Sequence, residues 1–170
     1  LGVSRTPVRE ALARLASEGL VVAEGRSFIL PALGVGDIED IYALRFLLEP
    51  EALRLVAASR PEKKHLAPLR KALEDMAAAD DKGDGAAFMD ANYRFRDAWT
   101  SLVPNKRLVR AIQLYADHVR YLRAFTLDEA PVRAVVLKGL KRLVLALAAG
   151  DGEGAAVAMI LAAREDRVKA

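Results

Sequence analysis

The chain contains no cysteine among its 170 residues, which excludes disulfides and thiolate chemistry and fits a reducing, cytoplasmic setting. No apolar run approaches the ~20 residues that cross a bilayer, so no membrane partner is expected. The chain opens neither with Met nor with a charged-then-apolar leader, and no signal peptide is read from it. Histidine is limited to His65 and His118. Charge of one sign is also scarce. The net charge is +3, and in residues 1–30 Arg5, Arg9, Arg14 and Arg26 are set against Glu10, Glu18 and Glu24. Charge alone therefore does not suggest nucleic acid. No nucleophile–base pair, phosphate loop or metal-ligand set stands out, so an enzyme is not expected.

What is present begins with residues 1–20, which read as the turn and second helix of a helix-turn-helix. Gly2 suits the tight turn, and Ser4 or Thr6 can cap a helix. Pro7 falls in the first turn, where backbone donors have no intrahelical partner. Val8, Leu12, Leu15 and Ala16 form one apolar stripe. Arg5, Thr6 and Arg9 project from the N-terminal end, which in this motif meets the major groove. Arginine forks suit guanine edges and phosphates, and a hydroxyl suits either. Val21-Val22 and residues 27–30 alternate like two short strands around a Glu24-Gly25-Arg26 tip.

The run Val-Ser-Arg-Thr-Pro-Val-Arg-Glu-Ala-Leu over residues 3–12, followed by Leu-x-x-Glu-Gly-Leu, resembles the signature of the GntR family of bacterial transcription regulators. The hairpin resembles that family's wing. The resemblance implies operator contacts from Arg5, Thr6 and Arg9, and minor-groove contacts from Gly25 and Arg26 at the wing tip. A winged helix needs a helix before the turn, whereas the chain begins at the turn. An N-terminal portion is therefore expected to precede it.

Residues 31–36, Pro-Ala-Leu-Gly-Val-Gly, break the strand pattern and read as a linker. From residue 37 the period is helical, with helices expected over about 37–59, 61–80, 86–102, 105–126, 130–150 and 151–170. Pro50 is expected to kink the first, whose apolar side carries Ile38, Ile41, Leu44, Leu48, Leu55 and Val56. Six helices with short connections predict an all-α antiparallel bundle. The domains expected are thus 1–30 (C-terminal part of a winged helix-turn-helix), 31–36 (linker) and 37–170 (helical domain). Asp37-Ile-x-x-Ile-Tyr-x-Leu-Arg-Phe-x-Leu-Glu49, Phe95 with Asn105, and Ala146-Leu-x-x-Gly-Asp-x-x-x-Ala155-x-x-x-Met159 resemble the FCD effector domain of the FadR-type branch, in its six-helix, VanR-like form.

Members of that family commonly hold a divalent metal with an Asp or Asn, a His four residues on, and two more His on the last two helices. The resemblance maps these positions to Asn92, Arg96, Leu140 and Ala162. Arginine has no acceptor, and leucine and alanine have no donor atom. No metal or other cofactor is therefore expected. Something polar still belongs inside. Phe88, Phe95, Trp99 and Leu102 form an apolar arc with Asn92 at its middle and Arg96 beside it. Leu108, Ile112, Tyr115, Val119 and Leu122 form another that contains Arg123, with Arg120 at its margin, and Arg45 flanks the first helix's apolar face. Buried amides and guanidiniums need partners.

One reading makes Arg96 the anchor of an acidic effector in place of the metal, assisted by Arg123, Asn92 and Arg45. The other pairs these arginines with Glu49, Asp90, Asp97 or Asp117, or runs their stems to solvent. Trp99 and Tyr115 are expected in the core, and His118 at the surface or a dimer contact. Apolar Leu140 and Ala162 favour an organic acid with an apolar body or an acyl chain. The function expected is a cytoplasmic, homodimeric regulator, commonly a repressor, on a palindromic DNA operator. The alternative is a constitutive DNA binder whose bundle only dimerises.

Overall fold

The computed structural model describes residues 4–17, 21–25, 27–29 and 34–167, apart from the side chains of Arg5, Tyr121, Ala124, Phe125 and residues 165–167. In chain order the elements are α1 (Arg5–Ser17), β1 (Val22–Glu24), β2 (Ser27–Ile29), α2 (Val35–Ala58), α3 (Lys63–Asp81), α4 (Gly85–Ser101), α5 (Lys106–Leu114), α6 (Ala116–Thr126), α7 (Ala130–Ala149) and α8 (Gly152–Arg167). They form two units, Leu1–Glu39 and Asp40–Ala170. The architecture is mainly α, part of a winged helix-turn-helix followed by a helical domain, as the sequence leads one to expect.

In the first unit α1 carries Pro7 in its first turn, where a missing N–H costs nothing. Strands β1 and β2 pair antiparallel, with Val22 opposite Ile29 and Glu24 opposite Ser27. Gly25 in the connecting turn has φ of 60°, a left-handed conformation glycine adopts without steric cost. The apolar stripe of α1 is only partly covered: Leu12, Leu15 and Ala16 are half-buried, while Val8 is exposed. Among the described residues it is β1 that packs against α1. Gly2, Arg26 and residues 31–33 lie outside the described residues.

In the second unit side-chain oxygens mark the helix starts. Asp84 accepts from the Ala87 N–H, Asn105 from those of Arg107 and Leu108, and Asp151 from that of Gly154. Gly150 closes α7 in the left-handed conformation, φ 73°. Helix α3 packs on α4 and α7, and α7 on α8. Because α3–α4 and α7–α8 are joined by tight turns, each pair runs antiparallel. The core centres on Leu53, Leu66, Leu69, Met76, Phe88, Phe95, Trp99, Leu143 and Leu147, all essentially inaccessible. Among the described residues no helix is long and apolar enough to cross a membrane.

Three expectations are corrected. The first long helix starts at Val35, so residues 35 and 36 are helical and not linker. The helix expected over 105–126 is two, α5 and α6, so the unit has seven helical segments among the described residues and not six. The interruption is at Tyr115, whose N–H bonds to the Gln113 carbonyl in place of the regular ladder. Finally, the buried face of α2 follows Tyr42, Arg45, Glu49, Leu53 and Val56. Of the expected apolar side, Ile41 and Val56 are buried, while Ile38, Leu44, Leu48 and Leu55 are only half-buried. Hydropathy misplaces part of that face because two of its members, Arg45 and Glu49, are charged and pair with one another inside.

Candidate functional site

A charged interior is assembled from three helices. On α2, Arg45 and Glu49 lie one turn apart, and the Arg45 Nε donates to Glu49 Oε1 at 3.1 Å. The Arg45 guanidinium also lies 4.8 Å from the centroid of the fully buried Tyr42 ring. From α4, Arg96 Nη1 donates to the same Glu49 oxygen at 2.8 Å. From α6, Arg123 Nη1 donates to Asn92 Oδ1, and Asn92 Nδ2 reaches the Met76 sulfur at 3.7 Å. Arg45, Glu49, Asn92, Arg96 and Arg123 are all buried.

Charge decides the state of Glu49. Burial alone would raise its carboxyl, but the nearby charges of Arg45 and Arg96, the Arg45 hydrogen bond and the charge of Arg123 outweigh it and hold the pKa at about 2. The Arg96 guanidinium is shifted down by burial and by its two arginine neighbours, against the pull of Glu49. Glu49 is therefore an ionised hub. Its Oε2 has no hydrogen-bond partner among the described residues.

Beside this hub a cavity of about 110 Å³ opens between α4 and α6. Buried Arg96, Arg123 and Val119 line it, as do exposed Asp97, Asp117 and Arg120. The Arg120 guanidinium stacks 4.4 Å over the Tyr93 ring, and the Tyr93 hydroxyl donates to the Arg120 carbonyl at 3.1 Å.

Of the four side chains expected at an effector site, Arg96 and Arg123 line the cavity. Asn92 and Arg45 stand behind them, Asn92 on Arg123 and Arg45 on the Glu49 that holds Arg96. The carboxylate that pairs with Arg45 and Arg96 is Glu49, one of the four offered as alternatives. Glu49 is thus the residue that sequence reasoning undervalued; its spacing of four from Arg45 is the signal that was available.

The four family metal positions do not fit a divalent ion. The Asn92 oxygen accepts from a guanidinium, Arg96 brings a second cation, and Leu140 and Ala162 are buried hydrocarbon. Leu140 belongs to the apolar core and neither residue lines the cavity. Trp99 is core, with the Arg96 guanidinium 5.8 Å from its ring. Tyr115 and His118 are half-buried, their ring centroids 6.3 Å apart. Arg133, which sequence reasoning missed, is a buried staple: it bonds Asp80 and the Leu127 and Asp128 carbonyls.

On α1, Thr6 and Arg9 are exposed and border one open hollow with Glu10 and Ala13. A spacing of three residues places both on one helix face. Gly25 is exposed at the hairpin turn. The Arg5 side chain and Arg26 lie outside the described residues.

Comparisons with known proteins agree with this division. A family model described as bacterial regulatory proteins, gntR family, matches residues 1–29, and one described as FCD domain matches residues 40–162. The chain is 42% identical over 100 residues to an uncharacterized HTH-type transcriptional regulator of Agrobacterium vitis, covering 57% of this chain and 58% of that protein. It is 39% identical over 97 residues to the HTH-type transcriptional regulator McbR of Escherichia coli, covering 56% and 43%. The solved structure of E. coli McbR/YncC superposes with a TM-score of 0.80 at 30% identity, covering 99% of this chain and 83% of that one. The chain spans about half the length of the curated relatives it matches.

Proposed function

From the premise that this chain belongs to the bacterial gntR family, in the branch that carries an FCD domain, we propose that it serves a cytoplasmic, DNA-binding transcription regulator whose helical domain senses a small anionic ligand. In this reading α1 enters the major groove with Thr6 and Arg9 on its reading face, joined by Arg5, while Gly25 and Arg26 approach the minor groove. A homodimer sets two such helices on the half-sites of a palindromic operator, and ligand binding releases them, which is repression. Such release requires the ligand to bind the DNA-competent and incompetent states unequally.

The observation that carries the reading is the cavity at α4 and α6, with buried guanidiniums of Arg96 and Arg123 in its wall. Guanidinium is the side chain best matched to carboxylate. A cavity of about 110 Å³ takes a small organic acid and leaves no room for a long acyl chain. The test begins with operators selected from random duplexes, on which Kd is measured by fluorescence anisotropy. Replacing Thr6 and Arg9 together by Ala should weaken binding more than about tenfold, the scale of one or two lost base contacts. Unchanged affinity overturns the assignment of α1 as the reading helix.

A further inference from the structure

Arg96 belongs to two places at once. Its Nη1 donates to Glu49 Oε1 at 2.8 Å in the interior, and the same side chain lines the cavity between α4 and α6. Of the two arginines that hydrogen-bond Glu49, Arg45 stands behind the wall and only Arg96 meets the cavity. The lining as a whole carries three guanidiniums, Arg96, Arg120 and Arg123, against two carboxylates, Asp97 and Asp117. An entering anion therefore finds one positive charge in excess, and in Arg96 it meets a cation whose interior partner is itself a carboxylate. That carboxylate is doubly held. When Arg96 turns to a ligand, Glu49 keeps its 3.1 Å bond from Arg45 and does not become an uncompensated buried charge. Sharing Arg96 between Glu49 and a ligand instead sets two negative charges against one cation at close range. Two arrangements are thus complete in charge: Glu49 on both Arg45 and Arg96, or Glu49 on Arg45 with the ligand on Arg96. Packed interiors change between such discrete states and do not deform continuously.

We propose that Glu49 is an internal competitor for the effector: a ligand carboxylate displaces it from Arg96 and thereby opens the tie between α2 and α4. The proposal rests on the reading of the cavity as the effector site and adds how that site is regulated. It supplies the unequal binding that release from DNA requires, since the closed tie holds ligand weakly and the open one holds it well. The exchange acts on α2, the helix that begins in the first unit and continues into the second.

Trp99 reports the exchange. It is the chain's single tryptophan, buried in the core and not part of the cavity lining, and the Arg96 guanidinium lies 5.8 Å from its ring. Movement of that cation alters its emission. Formate, acetate, propionate and succinate are titrated into the protein by calorimetry and, in parallel, by tryptophan fluorescence. At least one should bind, and its binding should change Trp99 emission with the same midpoint. Glu49→Gln removes the competitor and should bind that acid at least about tenfold more tightly, the scale of one hydrogen bond to a charged group. Glu49→Asp keeps the charge beside Arg45 but draws the carboxylate back by one carbon–carbon bond. It should bind the acid more tightly than the wild type by about threefold or more, again through the loss of the Arg96 contact. An acid that binds without changing Trp99 emission, or that binds the wild type and Glu49→Asp alike, overturns the exchange and leaves the anionic effector standing. Tighter binding in Glu49→Gln alone is charge repulsion relieved and overturns it equally. If none of the four acids binds, the effector reading of the cavity falls and the exchange falls with it.

Discussion

Glu49 holds a negative charge where burial would favour the neutral acid, and the neighbouring guanidiniums reverse that preference. Its pKa falls from the ordinary 4.5 to about 2, so folding is linked to the ionised form. A depressed folded-state pKa contributes stability that is complete above about 4.5 and lost as pH falls from there towards about 2. A shift of that size corresponds to roughly 3 kcal/mol. Urea unfolding followed from pH 6 to pH 2 should show this loss for the wild type. In Glu49→Gln the loss over that window should shrink, and stability at neutral pH should already be lower by about 3–5 kcal/mol, because removing one partner leaves buried cations uncompensated. An unchanged acid profile in the variant would show that Glu49 is not the hub. The residue was partly legible in advance: Arg45 and Glu49 stand at helical spacing, and Arg96 follows Phe95 on an otherwise apolar arc. That Arg96 and Arg45 share one Glu49 oxygen was not legible, since it depends on how α2 and α4 meet and no local pattern encodes that.

Elements were legible in proportion to how far their ends are written in side chains. Asp84, Asn105 and Asp151 are acceptors poised to cap, and Gly150 supplies the left-handed exit, so α4, α5, α7 and α8 start or stop within a residue or two of expectation. The break at Tyr115 has no such mark, because residues 106–126 contain neither Gly nor Pro and the interruption is a single misdirected hydrogen bond. The meeting of α7 and α8 is a third case, set by the smallness of two residues. A methyl group added at Gly139 would lie 2.9 Å from the Ala162 Cβ, closer than packed carbons come. Gly139→Ala therefore trades about 1 kcal/mol of helix propensity against an overpacking cost of about 1–3 kcal/mol. The single variant should lose up to about 2 kcal/mol by thermal or urea unfolding. Adding Ala162→Gly should recover more than the two separate changes allow, the non-additivity expected of residues in contact. A Gly139→Ala protein more stable than its parent by the full propensity gain of about 1 kcal/mol would mean the helices are not in contact there. The same packing explains why Ala162, in a position where relatives are expected to place a metal ligand, bears no longer side chain.

At the scale of the molecule, charge is divided against expectation. Residues 1–39 carry four arginines and five carboxylates, whereas the whole chain has 26 basic and 23 acidic residues, so the excess of positive charge lies in the helical domain. Under the proposed DNA-binding role, residues 1–39 offer a few well-placed contacts and no broad basic surface. Salt dependence measures that number directly, since log Kobs falls with log salt at about −0.9 per phosphate neutralised. Four arginines in Leu1–Glu39 set a limit near −4 for each protomer, and about −7 for a dimer. Operator affinity for this chain, titrated by anisotropy from 50 to 300 mM salt, should stay within those limits. Arg9→Ala should then separate two roles. If Arg9 grips phosphate, the slope becomes shallower by about one with sequence preference unchanged. If it reads a base edge, as its place beside Thr6 on the exposed face of α1 implies, the slope holds and discrimination at one operator position is lost. A slope much steeper than −7 would move the DNA-binding surface onto the basic helical domain, and the division of labour between the two units would have to be redrawn.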